Sequence, residues 1–359
     1  MTHFEHLGKL RRRCDLTRPA RSRRCRATIP TRDRKHESLL TATPRADAIV
    51  ARLVAAEAAE SGALWHEVRA LPASEVAWAL NRRCVAVWTT DPSATVIAAD
   101  LSERLAADCP SAEVEALAAW TRGIALLSQG QMETALAALE RADAGFAALG
   151  RPRERAQASV SRLMALAMLG RYDEALACGA QARAALDAAG DAREAGKIEL
   201  NLGNLEARRD RPDDAARHFG EARVRFAAAD DTELGAAAAM GLAELLVRRH
   251  EFDAAQALYD QAREGAERGG FALITAGIEH DLGAMEMRRG RYDQALRWLE
   301  SSCRGYQSLM VPHYLAVAEE RLGDAYLELN LLPEALALYE RSLATYGAAG
   351  LVTDRAWAA

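Results

Sequence analysis

The chain has 359 residues, of which 50% are apolar and only 6% aromatic, with a net charge of −5. This Ala-rich composition lacks the β-branched and Gly-Pro pattern of a large β-sheet protein, so it favours helices that pack closely. No stretch reaches the roughly 18 consecutive apolar residues of a membrane span, and the N-terminus lacks an apolar signal region. The sequence therefore predicts an all-α cytoplasmic protein with no membrane partner.

The charge is unevenly distributed along the chain. Residues 1–36 hold twelve Lys and Arg against three acidic residues, a balance of +9, so the remainder carries −14. An acidic body argues against a face that binds a phosphate backbone, and we expect no nucleic-acid partner for the folded part. The six cysteines are scattered without a Cys-x-x-Cys pair, which indicates reduced thiols rather than a zinc site or a disulfide framework.

The N-terminal segment, residues 1–45, is predicted to be disordered. It is rich in arginine, is interrupted by Pro19 and Pro30, and offers almost nothing apolar to bury. A solvated extension or an early start codon explains it most simply. A nucleic-acid arm, an acidic-membrane arm and a transit peptide stay open as alternatives.

Residues 46–113 show the spacing of three leading helices. Apolar residues recur at helical intervals from Ala46 toward Trp65, a second helix is predicted from Ser74 to Trp88, and Asp91-Pro92 reads as a cap that opens a third helix ending near Asp108. Together they predict a degenerate repeat that caps the end of a longer array.

From residue 114 to residue 350 the sequence repeats itself every 40 residues, in six copies. One position is alanine in every copy: Ala135, Ala175, Ala215, Ala255, Ala295 and Ala335. A second position, seven residues before each turn, is small in five copies: Gly123, Gly203, Ala243, Gly283 and Gly323, with Leu163 as the departure. Small side chains let two helices approach closely, and each copy closes near a glycine or aspartate, so each copy predicts a helix-turn-helix hairpin.

This arrangement of small residues resembles the tetratricopeptide repeat (TPR) family. The resemblance implies an α-solenoid, a right-handed superhelix of TPR hairpins, whose 40-residue units are similar to those of bacterial regulators and of the arrays that precede CHAT domains, a caspase-like protease type. Leu202-Gly203-Asn204 and the run from Leu329 to Ala335 carry the CHAT resemblance. Residues 351–359 are predicted to be a truncated final helix.

In TPR proteins the first helix of each hairpin lines a concave groove, and the resemblance transfers that groove to this chain. The predicted partner-binding residues are Lys197, Asn201, Asn204, Arg208, Arg248, His280, Arg288, Trp120 and Met164. The groove is expected to run from apolar through basic to acidic, ending at Glu320, Asp324 and Glu328. Alternatively, the leading helices bury the apolar part, and the charged part is an ordinary solvated face.

We expect a non-catalytic scaffold that binds a protein or peptide, with no cofactor, no metal and an oligomeric state that the sequence does not define. His218, His250, His280 and His313 occupy different repeat positions, which predicts isolated surface or turn residues, and Cys178 reads as a packed thiol. The alternative is the regulatory or sensor array of a CHAT-type protease or signalling protein whose effector domain lies outside this chain.

Overall fold

A computed structural model describes residues 44–56, 58–88 and 91–348. These ranges contain sixteen α-helices and no strand. The helices are α1 Pro44–Ala55, α2 Ala58–Arg69, α3 Ala73–Val87, α4 Pro92–Asp108, α5 Ala112–Ser128, α6 Met132–Ala148, α7 Pro152–Met168, α8 Tyr172–Ala188, α9 Ala192–Arg208, α10 Pro212–Ala228, α11 Thr232–Arg248, α12 Phe252–Gly269, α13 Ala272–Arg288, α14 Tyr292–Ser308, α15 Pro312–Glu328 and α16 Leu332–Ala348. The prediction for residues 351–359 and most of that for residues 1–45 lie outside the described residues.

The leading part differs from the prediction at one point. The single helix expected from Ala46 toward Trp65 is wrong, because α1 ends at Ala55 and α2 begins at Ala58. The apolar periodicity runs through this junction without a breaker such as proline. Tertiary packing decides the break: α1 contacts both α2 and α3, and a single straight helix could not fold back on itself in this way.

From α4 onward the helices follow a constant spacing, and each one begins 20 residues after the one before. The linkers between them repeat as well, with a residue of positive φ at every twentieth position from Gly130 to Asn330. Glycine occupies six of these positions, and Asp210, Asp230, His250, Met310 and Asn330 occupy the rest. The left-handed residue ends one helix and lets the chain turn into the next. Several helices then begin with a capping Asp or Ser, or with a proline at the first position.

Consecutive helices pair into antiparallel hairpins, α3 with α4 and so on to α15 with α16. The repeated alanines are buried at these contacts. Bulky residues near the end of most second helices, such as Phe146 and Leu186, are also buried.

The odd-numbered helices from α3 to α15 are the first helices of their hairpins. Each of them contacts the first helix of the next hairpin, whereas the second helices of neighbouring hairpins approach each other less closely within the described ranges. Closer approach on one side curves the array toward that side. The first helices therefore form the inner face, and the second helices form the outer face.

Candidate binding site on the inner face

Three arginines occupy the same position of three consecutive first helices. Arg208 ends α9, Arg248 ends α11 and Arg288 ends α13, and all three are exposed. The constant 40-residue unit explains this register, because hairpins of equal length bring equal positions to the same end of each first helix. The inner face thus carries one guanidinium group per hairpin over three hairpins.

A pocket of about 320 Å³ lies between α9 and α11, beside two of these arginines. Its lining residues are Asn204, Ala207, Arg208, Phe219, Glu244 and Arg248. The structure therefore brings together three of the residues predicted for the groove and adds a carboxylate and an aromatic ring that the prediction did not contain.

The ring of Phe219, which belongs to α10, reaches this pocket because two glycines leave room for it. A Cβ placed on Gly203 of α9 would lie 2.6 Å from the ring, and one placed on Gly241 of α11 would lie 2.7 Å from it. Carbon atoms in contact are normally 3.5 to 4.0 Å apart, so neither glycine can carry a side chain without moving the ring. The ring holds α9 and α11 at a fixed separation and thereby sets the width of the pocket.

The arginines differ in their partners. Arg248 Nη2 donates to Asp210 Oδ1 at 2.6 Å, and its Nη1 donates to the backbone oxygen of Ala207 at 3.4 Å. Arg208 Nη1 instead contacts Met168 Sδ at 3.2 Å, a weak acceptor. Neither Arg208 nor Arg288 has a carboxylate within ion-pair distance among the described residues.

The repeat explains this difference. The position that holds Asp210 before Arg248 is Gly170 before Arg208 and His250 before Arg288. Only the middle arginine therefore meets a carboxylate from the preceding turn. A guanidinium group without such a partner can donate to an incoming carboxylate in the forked geometry that Arg favours.

Glu244 lies one turn before Arg248 on α11 and lines the same pocket. Desolvation by the surrounding side chains, together with repulsion from Asp281, raises the pKa of Glu244, while Arg248 and Arg288 act in the opposite direction.

Other predicted polar residues lie elsewhere on the same face and are engaged within their own helices. Lys197 Nζ donates to Glu194 Oε1 at 2.7 Å, and Asn201 Nδ2 donates to the backbone oxygen of Lys197 at 2.8 Å. His280 lies two turns before Arg288, with its Nδ1 3.3 Å from Asp281 Oδ1. None of these three lines the pocket.

The predicted apolar end of the groove is largely covered. Trp120 is buried, with its ring edge-on to those of Trp78 and Phe146, so its assignment to an open groove is wrong. The leading helix α3, which contributes Trp78, provides this cover. Met164 is half-buried against the core, whereas Met168 is 49% exposed and is the apolar residue next to the pocket.

His218 corrects the prediction that the histidines are isolated surface or turn residues. It is buried, and its Nδ1 lies 2.6 Å from Oε2 of the buried Glu199, whose other oxygen accepts from Arg183 at 3.0 Å. Burial opposes ionisation of Glu199, but the hydrogen bonds from His218 and Arg183 outweigh it and hold the pKa of Glu199 below its usual value. This ion-pair cluster ties α8, α9 and α10 together.

The prediction of a packed thiol at Cys178 is confirmed. Its side chain is buried, and burial raises the pKa of the thiol, which disfavours the reactive thiolate. Within the described part of the chain, no group of three or more His, Cys, Asp or Glu residues could hold a metal ion. None of the helices described above is long and apolar enough to cross a membrane.

Sequence reasoning missed two pocket residues for different reasons. Glu244 lies 40 residues after Asn204, so the repeat register alone identifies it as a groove position. Phe219 belongs to a second helix, and its place at the pocket depends on the close approach that Gly203 and Gly241 allow, which only the packing reveals.

Comparison with known proteins gives one family match. Residues 274–348 match a family model described as tetratricopeptide repeat. The search of the curated proteins found no match.

Solved structures resemble most of the chain in fold. The Rap conjugation gene regulator of plasmid pLS20, in complex with the Phr* peptide, shares 15% identity over 82% of this chain and 78% of its own, with a TM-score of 0.61. A Rap protein complexed with competence and sporulation factor shares 12% identity over 90% and 95% of the two chains, with a TM-score of 0.60. A signal transduction ATPase with a tetratricopeptide repeat sensor from Pyrococcus horikoshii shares 12% identity over 88% of this chain and 48% of its own, with a TM-score of 0.57. At these identities the similarity shows a common fold of stacked helical hairpins.

Proposed function

We propose that the chain, a stack of helical hairpins in which residues 274–348 match the tetratricopeptide repeat model, is an interaction scaffold that binds a peptide segment of a partner protein on its inner face. We expect no catalytic role for it, because the matched family is generally a non-catalytic interaction fold. The proposed site is the row of Arg208, Arg248 and Arg288 together with the pocket between α9 and α11.

The observation that carries the proposal is that Arg208, at the edge of that pocket, has no carboxylate partner among the described residues. Arg248 is already satisfied by Asp210, which shows the geometry that a carboxylate adopts on this face. A carboxylate of the partner would give Arg208 the hydrogen-bond acceptor that Asp210 gives to Arg248 and that Gly170 cannot provide. Charged hydrogen bonds of this kind are about twice as strong as neutral ones, so an acidic residue is the natural anchor.

The surroundings of Arg208 favour a peptide over a single small anion. Met168 offers exposed apolar surface on one side, and Asn204 offers an amide that can both donate and accept. Arg288 extends the basic row by one further hairpin. We propose a segment that places an apolar residue near Met168 and acidic residues along the row.

The names of the structural neighbours agree with this class of ligand. One similar solved structure is a Rap regulator in complex with the Phr* peptide, and another is a Rap protein complexed with competence and sporulation factor. The alternative role, as the sensor array of a CHAT-type protease or another effector, stays a prediction.

The test is selection of binders from a displayed random-peptide library on the full chain, followed by affinity measurements by fluorescence anisotropy. The variant R208E/R248E/R288E is expected to weaken the selected peptides at least about tenfold, since each charged contact contributes on the order of 1 kcal/mol or more. The matched control R141E/R211E/R297E changes the net charge equally at exposed arginines without an ion-pair partner among the described residues.

The control variant is expected to retain wild-type affinity and wild-type circular dichroism. Equal loss in both triple variants would show that only net charge matters. Selected peptides without acidic residues, or full binding by R208E/R248E/R288E, would refute the assignment of the site.

A further inference from the structure

A second cleft, of about 670 Å³, opens on the outer face, away from the proposed peptide site. Its walls are α10 and α12, the second helices of neighbouring hairpins, and its floor is the N-terminal half of α11. The lining extends from Gly220 to Ala227 on α10 and from Gln261 to Arg268 on α12. Seven residues of helix span about 10 Å, so the cleft is about two helical turns long.

The repeat shows how this junction of second helices differs from the preceding one. One hairpin earlier, Arg225 of α10 donates to both carboxylate oxygens of Asp187 on α8 and bridges the equivalent helices. Forty residues later the same two positions are Gly265 and Ala227. The bridge is therefore absent between α10 and α12, and a Cβ built on Gly265 would meet nothing within 4 Å.

The chemistry of the cleft is apolar at the base and basic at the rim. Phe226, Ala236, Ala239 and Ala262 line the base, and Val224 stands at the rim with 67% of its surface exposed. Small residues at the walls and base let another polypeptide backbone approach closely, as they do between the helices of each hairpin.

Two arginines and two aspartates line the cleft. Arg223 and Arg268 line it, and neither has a carboxylate within ion-pair distance in the part of the chain that the structure describes. Asp231, at the end of the cleft, already accepts from Arg193 and from the amide of Leu234. Asp230 also lines the cleft, and among the described residues it forms no ion pair with Arg223 or Arg268.

We propose that this cleft is a second docking site, which binds a short amphipathic helix of another protein whose apolar face is flanked by Asp or Glu. Apolar residues at positions i, i+3 or i+4, and i+7 of such a helix cover the two turns of the cleft. Acidic residues beside them meet Arg223 and Arg268. The site is independent of the inner face, so the scaffold holds two partners at once.

The test uses a variant that restores the bridge of the preceding hairpin. In A227D/G265R the new Arg and Asp occupy the positions of Arg225 and Asp187, and the open space at Gly265 accepts the side chain without a clash. The matched control A228D/A257R introduces the same two charges at exposed alanines of α10 and α12 outside the cleft. Unchanged circular dichroism and an unchanged or raised Tm establish that both variants fold.

A displayed library of random peptides about 12 residues long is selected on the full wild-type chain and depleted on A227D/G265R. The expected peptides are amphipathic with flanking acidic residues, bind at least about tenfold more weakly to A227D/G265R and to R223E, and bind the control normally. They also bind normally to R208E/R248E/R288E, which separates this site from the one on the inner face.

Three results would overturn the proposal. The first is a selection that yields no peptide dependent on the open cleft. The second is a set of peptides with proline within the apolar segment or with basic flanks, because neither fits an acidic helix. The third is an equal loss of binding in A227D/G265R and in A228D/A257R.

Discussion

Replacement of Gly203 by alanine tests whether the ring of Phe219 really fixes the separation of α9 and α11. The new Cβ would lie 2.6 Å from ring carbons Cδ1 and Cε1, about 1 Å closer than van der Waals contact. The ring cannot simply retreat, because Gly241 approaches it from another side. Overpacking of this kind costs about 1 to 3 kcal/mol, while alanine in a helix gains about 0.5 to 1 kcal/mol over glycine. The expected net loss of stability is about 1 kcal/mol.

The sign of this effect should reverse when the ring is removed. Phe219→Ala alone is expected to cost about 3 to 5 kcal/mol, because it leaves a cavity in the core. In that background Gly203→Ala meets no ring and should stabilise the protein by about 0.5 to 1 kcal/mol. The coupling energy between the two substitutions is therefore about 2 kcal/mol, within the range seen for residues in contact.

The measurement is urea unfolding of the four proteins of this cycle, followed by far-ultraviolet circular dichroism. Gly220→Ala is the matched control, since a Cβ there meets nothing within 4 Å and should stabilise the chain by about 0.5 to 1 kcal/mol. If Gly203→Ala raised stability equally with and without the ring of Phe219, the two residues would not be in contact and the stated basis for the pocket width would fail.

Three further predictions concern the turns, the buried ion pairs and the thiols. Met310→Gly should raise stability by about 0.5 to 1 kcal/mol, because Met310 adopts φ 53° with its side chain 83% exposed; the reverse change Gly150→Met should lower stability in the same denaturation assay. The stability advantage of the wild type over Glu199→Gln should be full above about pH 5 and decline below about pH 4. The reason is that the lowered pKa of Glu199 contributes to folding stability only while this carboxyl group is ionised; a pH-independent advantage would contradict this. Iodoacetamide at pH 8 should modify Cys84 much more slowly than Cys109, as peptide mass mapping can show, because burial raises the pKa of Cys84 to about 12; equal rates would contradict the buried position.

Much of the fold could be predicted because the sequence repeats. The alanine that recurs every 40 residues and the glycines near the helix ends define hairpins of constant length, and constant length in turn places Arg208, Arg248 and Arg288 in one row. The pattern is present in each of the six copies, so a departure in one copy does not obscure the repeat.

Tertiary structure decided the features that depend on contacts between copies. The sequence contains no signal for the break after Ala55, for the burial of Trp120 against Trp78, or for the pairing of His218 with Glu199. Each of these depends on which side chain of one hairpin meets which side chain of another. The repeat pattern establishes that neighbouring hairpins pack against each other. The residues that differ between copies determine which side chains are buried, which charged groups are paired and where a pocket stays open.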